Sequence, residues 1–212
     1  MLRDDAVGRI QRKLSFRNDL TTEIIDALKD AQVKLEGGIT LPWFLQTEVT
    51  SSNTVPGDER LKLPTDFLRA TEQDALYYYN GAATEDEDVW NELAKDDIDV
   101  LRTLYPGSGV PKAYAIDPLY FRFFPTPDAI YDLKIIYHAK DTVLDSNIEN
   151  KWLKHAPFLL IGMAGQDIAE SIKDNASFGA FQKMEQEASV RLLTFHEERM
   201  HANKRYIMGG PD

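Results

Sequence analysis

The segment 196–201, His-Glu-Glu-Arg-Met-His, contains the residue types of a helical zinc site. Zinc sites of this kind place two histidines four residues apart, so that both imidazoles face one metal ion from the same side of a helix. His196 and His201 are five residues apart, which separates their side chains by about 140° around the helix axis. This spacing argues against a metal site, and we interpret the segment as the charged, solvated end of a helix.

Three other candidate motifs each lack a necessary residue. Residues 107–112 begin like a dinucleotide loop, but a third glycine is missing and Pro111 opposes the helix that would hold the phosphates. Residues 85–88 offer the carboxylates of a calcium loop without its central glycine and closing glutamate. Neither His138 nor His155 stands in a recognisable relation to a nucleophilic serine. We predict no catalytic residue, no cofactor and no metal; an enzyme with an unrecognised carboxylate site is the least favoured alternative.

The composition describes an acidic protein without cysteine. In 212 residues, 35 acidic and 24 basic side chains give a formal net charge of −11, and the lack of cysteine excludes disulfides and zinc–thiolate sites. This balance argues against tight DNA binding by the whole surface, because nucleic-acid binders neutralise phosphates with basic surfaces, but it is compatible with a surface that faces DNA without binding it. No apolar run approaches the roughly 20 residues of a membrane span, and residues 1–5 lack a secretory apolar core. We expect a cytoplasmic origin and no membrane partner.

Apolar side chains at helical spacing predict an αα-hairpin at the start of the chain. The first stripe is Ala6, Val7, Ile10 and Leu14, with Arg9, Arg12 and Lys13 on the other side; the second is Ile24, Leu28, Ala31 and Leu35. Thr21 or Thr22 is predicted to cap the second helix. Gly37 and Gly38 are predicted to end it, because glycine accepts the left-handed conformation.

Residues 39–145 have the prolines, turns and short apolar runs of a β subdomain. Alternating side chains in 119–124 and 131–138, on either side of Pro125–Asp128, predict a hairpin. A packed strand is predicted at Tyr77, Tyr78 and Tyr79, and the sequence places no basic residue near them. The acidic segment 85–99 is predicted to interrupt the strands as a short helix around Trp90, Leu93, Ile98 and Leu101.

Helical spacing returns near residue 149. Trp152, Ala156, Leu159 and Met163 form one stripe, in which Pro157 must start or kink the helix, and Asn175 marks a break. The last helix is predicted at about 177–203 with the stripe Phe181, Met184, Ala188, Leu192 and Phe195. If this stripe is core, Phe181→Ala or Leu192→Ala costs about 2–5 kcal/mol.

The order of elements predicts an α+β fold, in which a helical bundle formed by N- and C-terminal helices carries an inserted, mainly antiparallel β subdomain. The predicted parts are a helical hairpin (1–38), the β subdomain (39–145), a C-terminal helical pair (146–203) and a C-terminal tail (204–212).

Four stretches in this order resemble the head–tail adaptor (connector) proteins of tailed bacteriophages. They are 24–32, the strand and Pro-x-Asp-Phe turn at 61–69, the segment from Pro111 to Tyr137, and 152–157 at the start of the C-terminal helices. The resemblance covers about residues 4–203, and the acidic stretch 85–99 has no clear place in the family pattern.

The resemblance implies a non-enzymatic subunit of a homo-oligomeric ring, usually of twelve copies. Such a ring is expected under the portal protein at the head–tail interface of the virion, after assembly in the host cytoplasm. It extends the channel through which double-stranded DNA passes without sequence-specific binding, and it receives a tail or nozzle protein. The alternative is another phage structural part, such as a tail-completion or tail-tube protein. A ring of six copies on a tail tube would favour this alternative.

Two functional segments are expected in a subunit of such a ring. The C-terminal one, with basic and apolar side chains, is expected to dock on the portal: Arg199, Lys204, Arg205, Tyr206, Ile207 and Met208. The second is an acidic channel or surface segment, expected to repel passing phosphates: Glu85, Asp86, Glu87, Asp88, Asp96, Asp97 and Asp99.

Overall fold

The computed structural model describes residues 1–38, 40–71, 75–79 and 90–207, with side chains as far as Arg199. The chain divides into two compact units. The helical unit is Met1–Leu45 with Asp141–Asp212, and the strand unit is Gln46–Lys140. The strand unit is therefore inserted between the two halves of the helical unit.

The described residues form α1 Arg3–Lys13, α2 Thr21–Glu36, α3 Ile98–Leu104, α4 Lys151–His155, α5 Pro157–Ser171 and α6 Asn175–Ile207. The strands are β1 Gln46–Asn53, β2 Arg60–Lys62, β3 Phe67–Ala70, β4 Leu76–Tyr79, β5 Trp90–Glu92, β6 Ala94–Lys95, β7 Ser108–Gly109, β8 Ala113–Ile116, β9 Tyr120–Phe124, β10 Thr126–Pro127 and β11 Asp132–Ala139. Pairing is antiparallel except in the short pairs β6–β8 and β7–β10. The predicted α+β class with mainly antiparallel strands is confirmed.

The two N-terminal helices are present, and their apolar stripes face the core. Ala6, Val7, Ile10, Leu14, Ile24, Leu28 and Ala31 are buried. Helix α2 ends at Gly37 as predicted, but the predicted threonine cap and the left-handed glycine are wrong. Thr21 donates its hydroxyl to the carbonyl of Asn18 in a preceding 3₁₀ turn, and Leu20 occupies the cap position without a side-chain bond. Gly37 ends α2 at φ −80°, so no left-handed residue is needed there.

Helices α5 and α6 pack closely because two glycines of α5 leave room for α6. A Cβ on Gly165 would lie 2.3 Å from the ring of Phe181, and one on Gly162 would lie 2.8 Å from the backbone nitrogen of Glu185. Pro157 occupies the first position of α5, where its missing N–H costs no helical hydrogen bond. It therefore starts a helix rather than kinking one.

Helix α6 is longer than predicted, beginning two residues earlier and ending four later. Its 33 residues span about 50 Å. The predicted stripe is core only at the start of the helix: Phe181 is buried, Leu192 is half-buried and Phe195 is 61% exposed.

The strand unit contains two larger sheets that share a core. One has the order β1-β11-β4-β5, with β3 also paired to β11, and the other has the order β2-β9-β8-β6. Buried side chains from both sheets form one cluster, including Tyr114, Phe121, Phe123, Leu133, Ile135 and Tyr137.

The predicted hairpin between 119–124 and 131–138 is wrong. Both strands exist, but β9 pairs with β2 and β8, whereas β11 pairs with β1, β3 and β4. The alternating apolar residues of β9 and β11 pack within the common core instead of pairing edge to edge. The proline segment therefore carries the chain from one sheet to the other.

The predicted helix around Trp90 and Leu93 is also wrong. Trp90–Glu92 pairs with Tyr77–Tyr79, and Ala94–Lys95 pairs with Ala113–Tyr114. Leu93 is buried in the core of the strand unit, so tertiary packing decides the conformation of this segment. The helix begins only at Ile98, and residues 85–89 lie outside the described part of the chain.

Candidate functional site

The histidines that could have served a catalytic or metal site are dispersed. His138 lies on β11 opposite Gln46 and Arg69, His155 ends α4, and His196 lies on α6. The side chain of His201 lies outside the described residues. Within the described part of the chain, no group of three or more histidine, aspartate or glutamate side chains is arranged to hold a metal ion.

His155 takes part in an aromatic cluster of the helical unit. Its imidazole stacks on Phe44 with centroids 5.0 Å apart, and Trp43 lies edge-on at the same distance. Burial lowers the pKa of His155, and the positive charges of Lys154 and Arg199 lower it further, against the opposing effect of Asp141. The imidazole of His155 therefore binds a proton less strongly than a free histidine, which suits a packing role.

Two buried carboxylates in the helical unit belong to a hydrogen-bonded network. Glu36 Oε1 accepts from Gln32 Nε2 at 2.9 Å, from the backbone N–H of Asp141 at 3.2 Å and from Trp152 Nε1 at 3.3 Å. Asp141 accepts from the backbone N–H of Trp152 at 3.1 Å, and Asn150 donates to Gln32 Oε1 at 3.0 Å. These bonds tie α2 to the chain that enters α4, so the network holds the two chain ends together.

Sequence reasoning missed this network. Its one local sign is that Gln32 and Glu36 are four residues apart on α2, beside the apolar stripe. Their partners lie more than 100 residues away in sequence.

The described part of the predicted acidic segment lies on the surface of the strand unit. Asp96, Asp97 and Asp99 are exposed. The carboxylate of Asp97 accepts from the backbone N–H of Asp99 at 2.9 Å and so caps α3. Asp99 is 3.9 Å from Arg102, and its side chain is 93% exposed. The other members, Glu85 to Asp88, lie outside the described residues, so a role for the whole segment stays a prediction.

The predicted portal-docking residues lie at the end of α6. The guanidinium of Arg199 lies 3.6 Å from the centre of the Trp43 ring, a cation–π contact. Lys204, Arg205, Tyr206 and Ile207 have helical backbone, so the helix continues into the predicted tail. Met208 lies outside the described residues, and docking by these residues stays a prediction.

One basic cleft lies between α1, α5 and α6. It has a volume of about 270 Å³ and is lined by Arg9, Arg12, Lys13, Phe158, Ile161 and Met184. Arg9 lies 5.4 Å from the Phe158 ring centroid, and Phe158 is 42% exposed. Within the described residues, none of the three cations has a carboxylate within 4 Å.

The tyrosine strand has a basic neighbour that the sequence analysis did not foresee. Lys134 on the adjacent strand β11 lies 4.5 Å from the Tyr77 ring centroid and 5.1 Å from that of Trp90. Tyr79 and Trp90 also contact each other, with centroids 5.7 Å apart. This patch is an aromatic–cation packing arrangement on one face of the sheet.

The family model described as SU10 adaptor protein matches residues 1–203. The chain belongs to this family. The match covers nearly all of both units, so it applies to the whole fold rather than to a fragment. This confirms the resemblance to phage head–tail adaptors drawn from the sequence motifs. No curated protein matches the chain.

Membership of the SU10 adaptor family makes the chain a phage structural protein. It implies a non-enzymatic role, contacts with other phage structural proteins and a place in the virion. No helix in the described residues is both long and apolar enough to cross a membrane.

Proposed function

We propose that this SU10 adaptor family member forms a ring of twelve copies under the phage portal, extends the DNA channel and receives the tail or nozzle protein. The observation that carries the proposal is the family match over residues 1–203, which includes both units almost completely. Assembly takes place in the host cytoplasm, before the ring becomes part of the head–tail interface.

The helical unit supplies the body of the proposed subunit. In the proposal, helices from both chain ends form a bundle, and the inserted β subdomain is a second module. The contact of α5 with both α2 and α6 and the buried network around Glu36 support this division. Val190 and Leu193, three residues apart on α6, are exposed and support an assembly role, since exposed apolar side chains on one face of a helix can mark an interaction surface; Phe195 is exposed on another side of the helix.

The charge of the chain suits a conduit for DNA. Twelve copies of a chain with net charge −11 carry about −130 before counterions are counted. Asp96, Asp97 and Asp99, together with the acidic residues 85–88, are the proposed surface that repels phosphates. Double-stranded DNA then passes without being bound.

The end of α6 is the proposed portal-docking segment. Lys204 and Arg205 provide positive charge, and Tyr206, Ile207 and Met208 provide apolar anchors. A short segment of this kind can bind a complementary surface through a few buried side chains. The guanidinium of Arg199 lies on the Trp43 ring, and this contact would hold the beginning of the docking segment in place.

The test is reconstitution with the portal protein of the same phage. We expect twelve copies per portal ring in cryo-electron micrographs and by native mass spectrometry. Removing 204–212 should leave the melting temperature nearly unchanged and abolish ring formation on the portal. A full-length variant with Lys204→Gln and Arg205→Gln separates the contribution of charge from that of the apolar anchors.

Two results would count against these assignments. A wild-type chain that leaves the portal unoccupied, or that forms a ring of six on a tail tube, contradicts the proposed function. A truncated chain that occupies the portal as fully as wild type contradicts only the docking segment.

A further inference from the structure

The three cations of the basic cleft, Arg9, Arg12 and Lys13, have no carboxylate within 4 Å among the described residues. Arg9, Arg12 and Lys13 are exposed on one face of α1, beside the exposed ring of Phe158. On a chain of net charge −11, these three cations form a basic cluster with an apolar wall on one side, and Arg9 and Arg12 border a second cleft with Asp4 and Asp5 on the other.

Helix α3 has the complementary surface. Val100 and Leu104, four residues apart, are 43% and 61% exposed and lie on one side of the helix. Asp96 and Asp99 are exposed at its beginning. An exposed amphipathic helix is a recurrent ligand of apolar grooves, and acidic side chains beside its anchors complement a basic rim.

We propose that the basic cleft of one copy binds α3 of a second copy of this chain. Leu104 and Val100 would contact Phe158 and Met184, while Asp96 and Asp99 would meet Arg9 and Arg12. In the ring, Asp97 and the acidic residues 85–88 would then remain as the surface that repels phosphates. The two surfaces differ, so the contact is heterologous, and repetition of a heterologous contact can close a ring. The inference rests on the proposed ring and specifies which surfaces join its neighbours.

The cleft has a volume of about 270 Å³, which is large enough for one or two anchoring side chains of a helix.

Nucleic acid is a poorer occupant. A phosphate chain would use the three cations and leave Phe158 and Met184 without partners, whereas α3 uses both kinds of group. The chain's net charge of −11 also opposes the approach of a polyanion, while an acidic patch on a neighbouring copy needs only local complementarity.

The test compares charge reversals on the two surfaces by sedimentation velocity of the full chain at low salt. Arg12→Glu and Asp99→Lys should each lower the association constant by roughly tenfold or more, because each places like charges together. The double variant Arg12→Glu/Asp99→Lys should restore association, since its surfaces are complementary again. Raising the ionic strength should weaken the wild-type contact but not restore either single variant fully.

Two matched controls carry the same charge changes outside the proposed contact. Lys34→Glu lies on an exposed part of α2, and Glu48→Lys lies on an exposed part of β1. Both should associate as wild type does. Circular dichroism and melting temperature establish that every variant is folded.

Several outcomes would overturn the contact. These are a wild-type chain that stays monomeric at all concentrations, single reversals no weaker than their controls, and a double variant that does not regain association. If Arg12→Glu weakens binding to portal or DNA while Asp99→Lys has no effect, the cleft serves another partner. If the reversal variants still form full rings on the portal, this contact is wrong and the proposed function stands.

Discussion

Replacing Phe181 by alanine tests the packing that joins α5 to α6. Phe181 is fully buried, its ring lies against the backbone of Gly165, and the ammonium of Lys13 lies 5.9 Å from the ring centroid. Gly165 has no side chain that could move into the space left by the ring. We therefore expect a cost in the range of about 3–5 kcal/mol, typical of a buried phenylalanine truncated to alanine.

Urea unfolding measures this cost. With a denaturant slope of about 2 kcal/mol per molar, a loss of about 4 kcal/mol lowers the midpoint by about 2 M. Tryptophan fluorescence follows the helical unit if Trp90 of the strand unit is first replaced by phenylalanine, which leaves Trp43 and Trp152 as reporters. Separate observation of this unit is necessary because two compact units need not unfold in one transition.

Phe195→Ala is the matched control, because it removes the same ring from an exposed position of the same helix. Phe195 is 61% exposed, so its replacement should cost less than about 0.5 kcal/mol. Leu192 is half-buried, and its replacement should cost about 1 kcal/mol, below the 2–5 kcal/mol expected from its place in the apolar stripe. A cost below about 1 kcal/mol for Phe181→Ala would refute the assigned packing of α5 on α6.

Three further predictions concern the same unit. Gly165→Ala should cost about 1–3 kcal/mol in urea unfolding because its Cβ would lie 2.3 Å from the Phe181 ring, and combination with Phe181→Ala should cost less than the sum of the single losses. The folded-state pKa of His155 is below the ordinary value of about 6.5, so the unfolded chain binds more protons; stability is full above about pH 6.5 and falls as pH is lowered from there. His155→Phe should remove the contribution of His155 to this pH dependence. The difference between the urea midpoints at pH 8 and pH 5 should then be smaller in the variant than in wild type. Chelation should leave the melting temperature unchanged and elemental analysis should find no stoichiometric zinc or calcium, whereas a chelator-induced drop of several degrees would contradict our interpretation of His196 and His201.

The helices were predictable because their apolar residues repeat with the period of the helix. Ile10 and Leu28 are buried where their spacing placed them. The ends were less predictable, since Thr21 bonds to the preceding turn instead of capping α2. Local sequence offers several hydrogen-bonding solutions at a helix end, and the path of the preceding chain selects one.

Strand partners were not predictable from alternation alone. Alternation of Phe121 and Phe123 with their neighbours correctly indicated a strand, yet it contains no information about which strand lies alongside. A short turn after Phe124 would have made a hairpin, whereas the observed path leads β11 into a different sheet. Trp90 shows the same limit, because its strand conformation depends on pairing with Tyr79.

Leu104 and Phe195 are apolar side chains that their own unit leaves exposed. Apolar periodicity predicts that a helix face will be covered, but it does not state whether the same chain or a neighbour covers it. In a subunit of a structural adaptor family, some apolar side chains are buried within the subunit and others are expected to be buried by neighbouring proteins. Apolar side chains that remain exposed in the single chain are therefore candidates for contact surfaces. The distinction is measurable: truncation of a core residue lowers the stability of the free subunit, whereas truncation of an interface residue leaves it intact and weakens the ring. We therefore expect Phe181→Ala to lower the stability of the free subunit, and Leu104→Ala and Phe195→Ala to leave it nearly intact and weaken the ring.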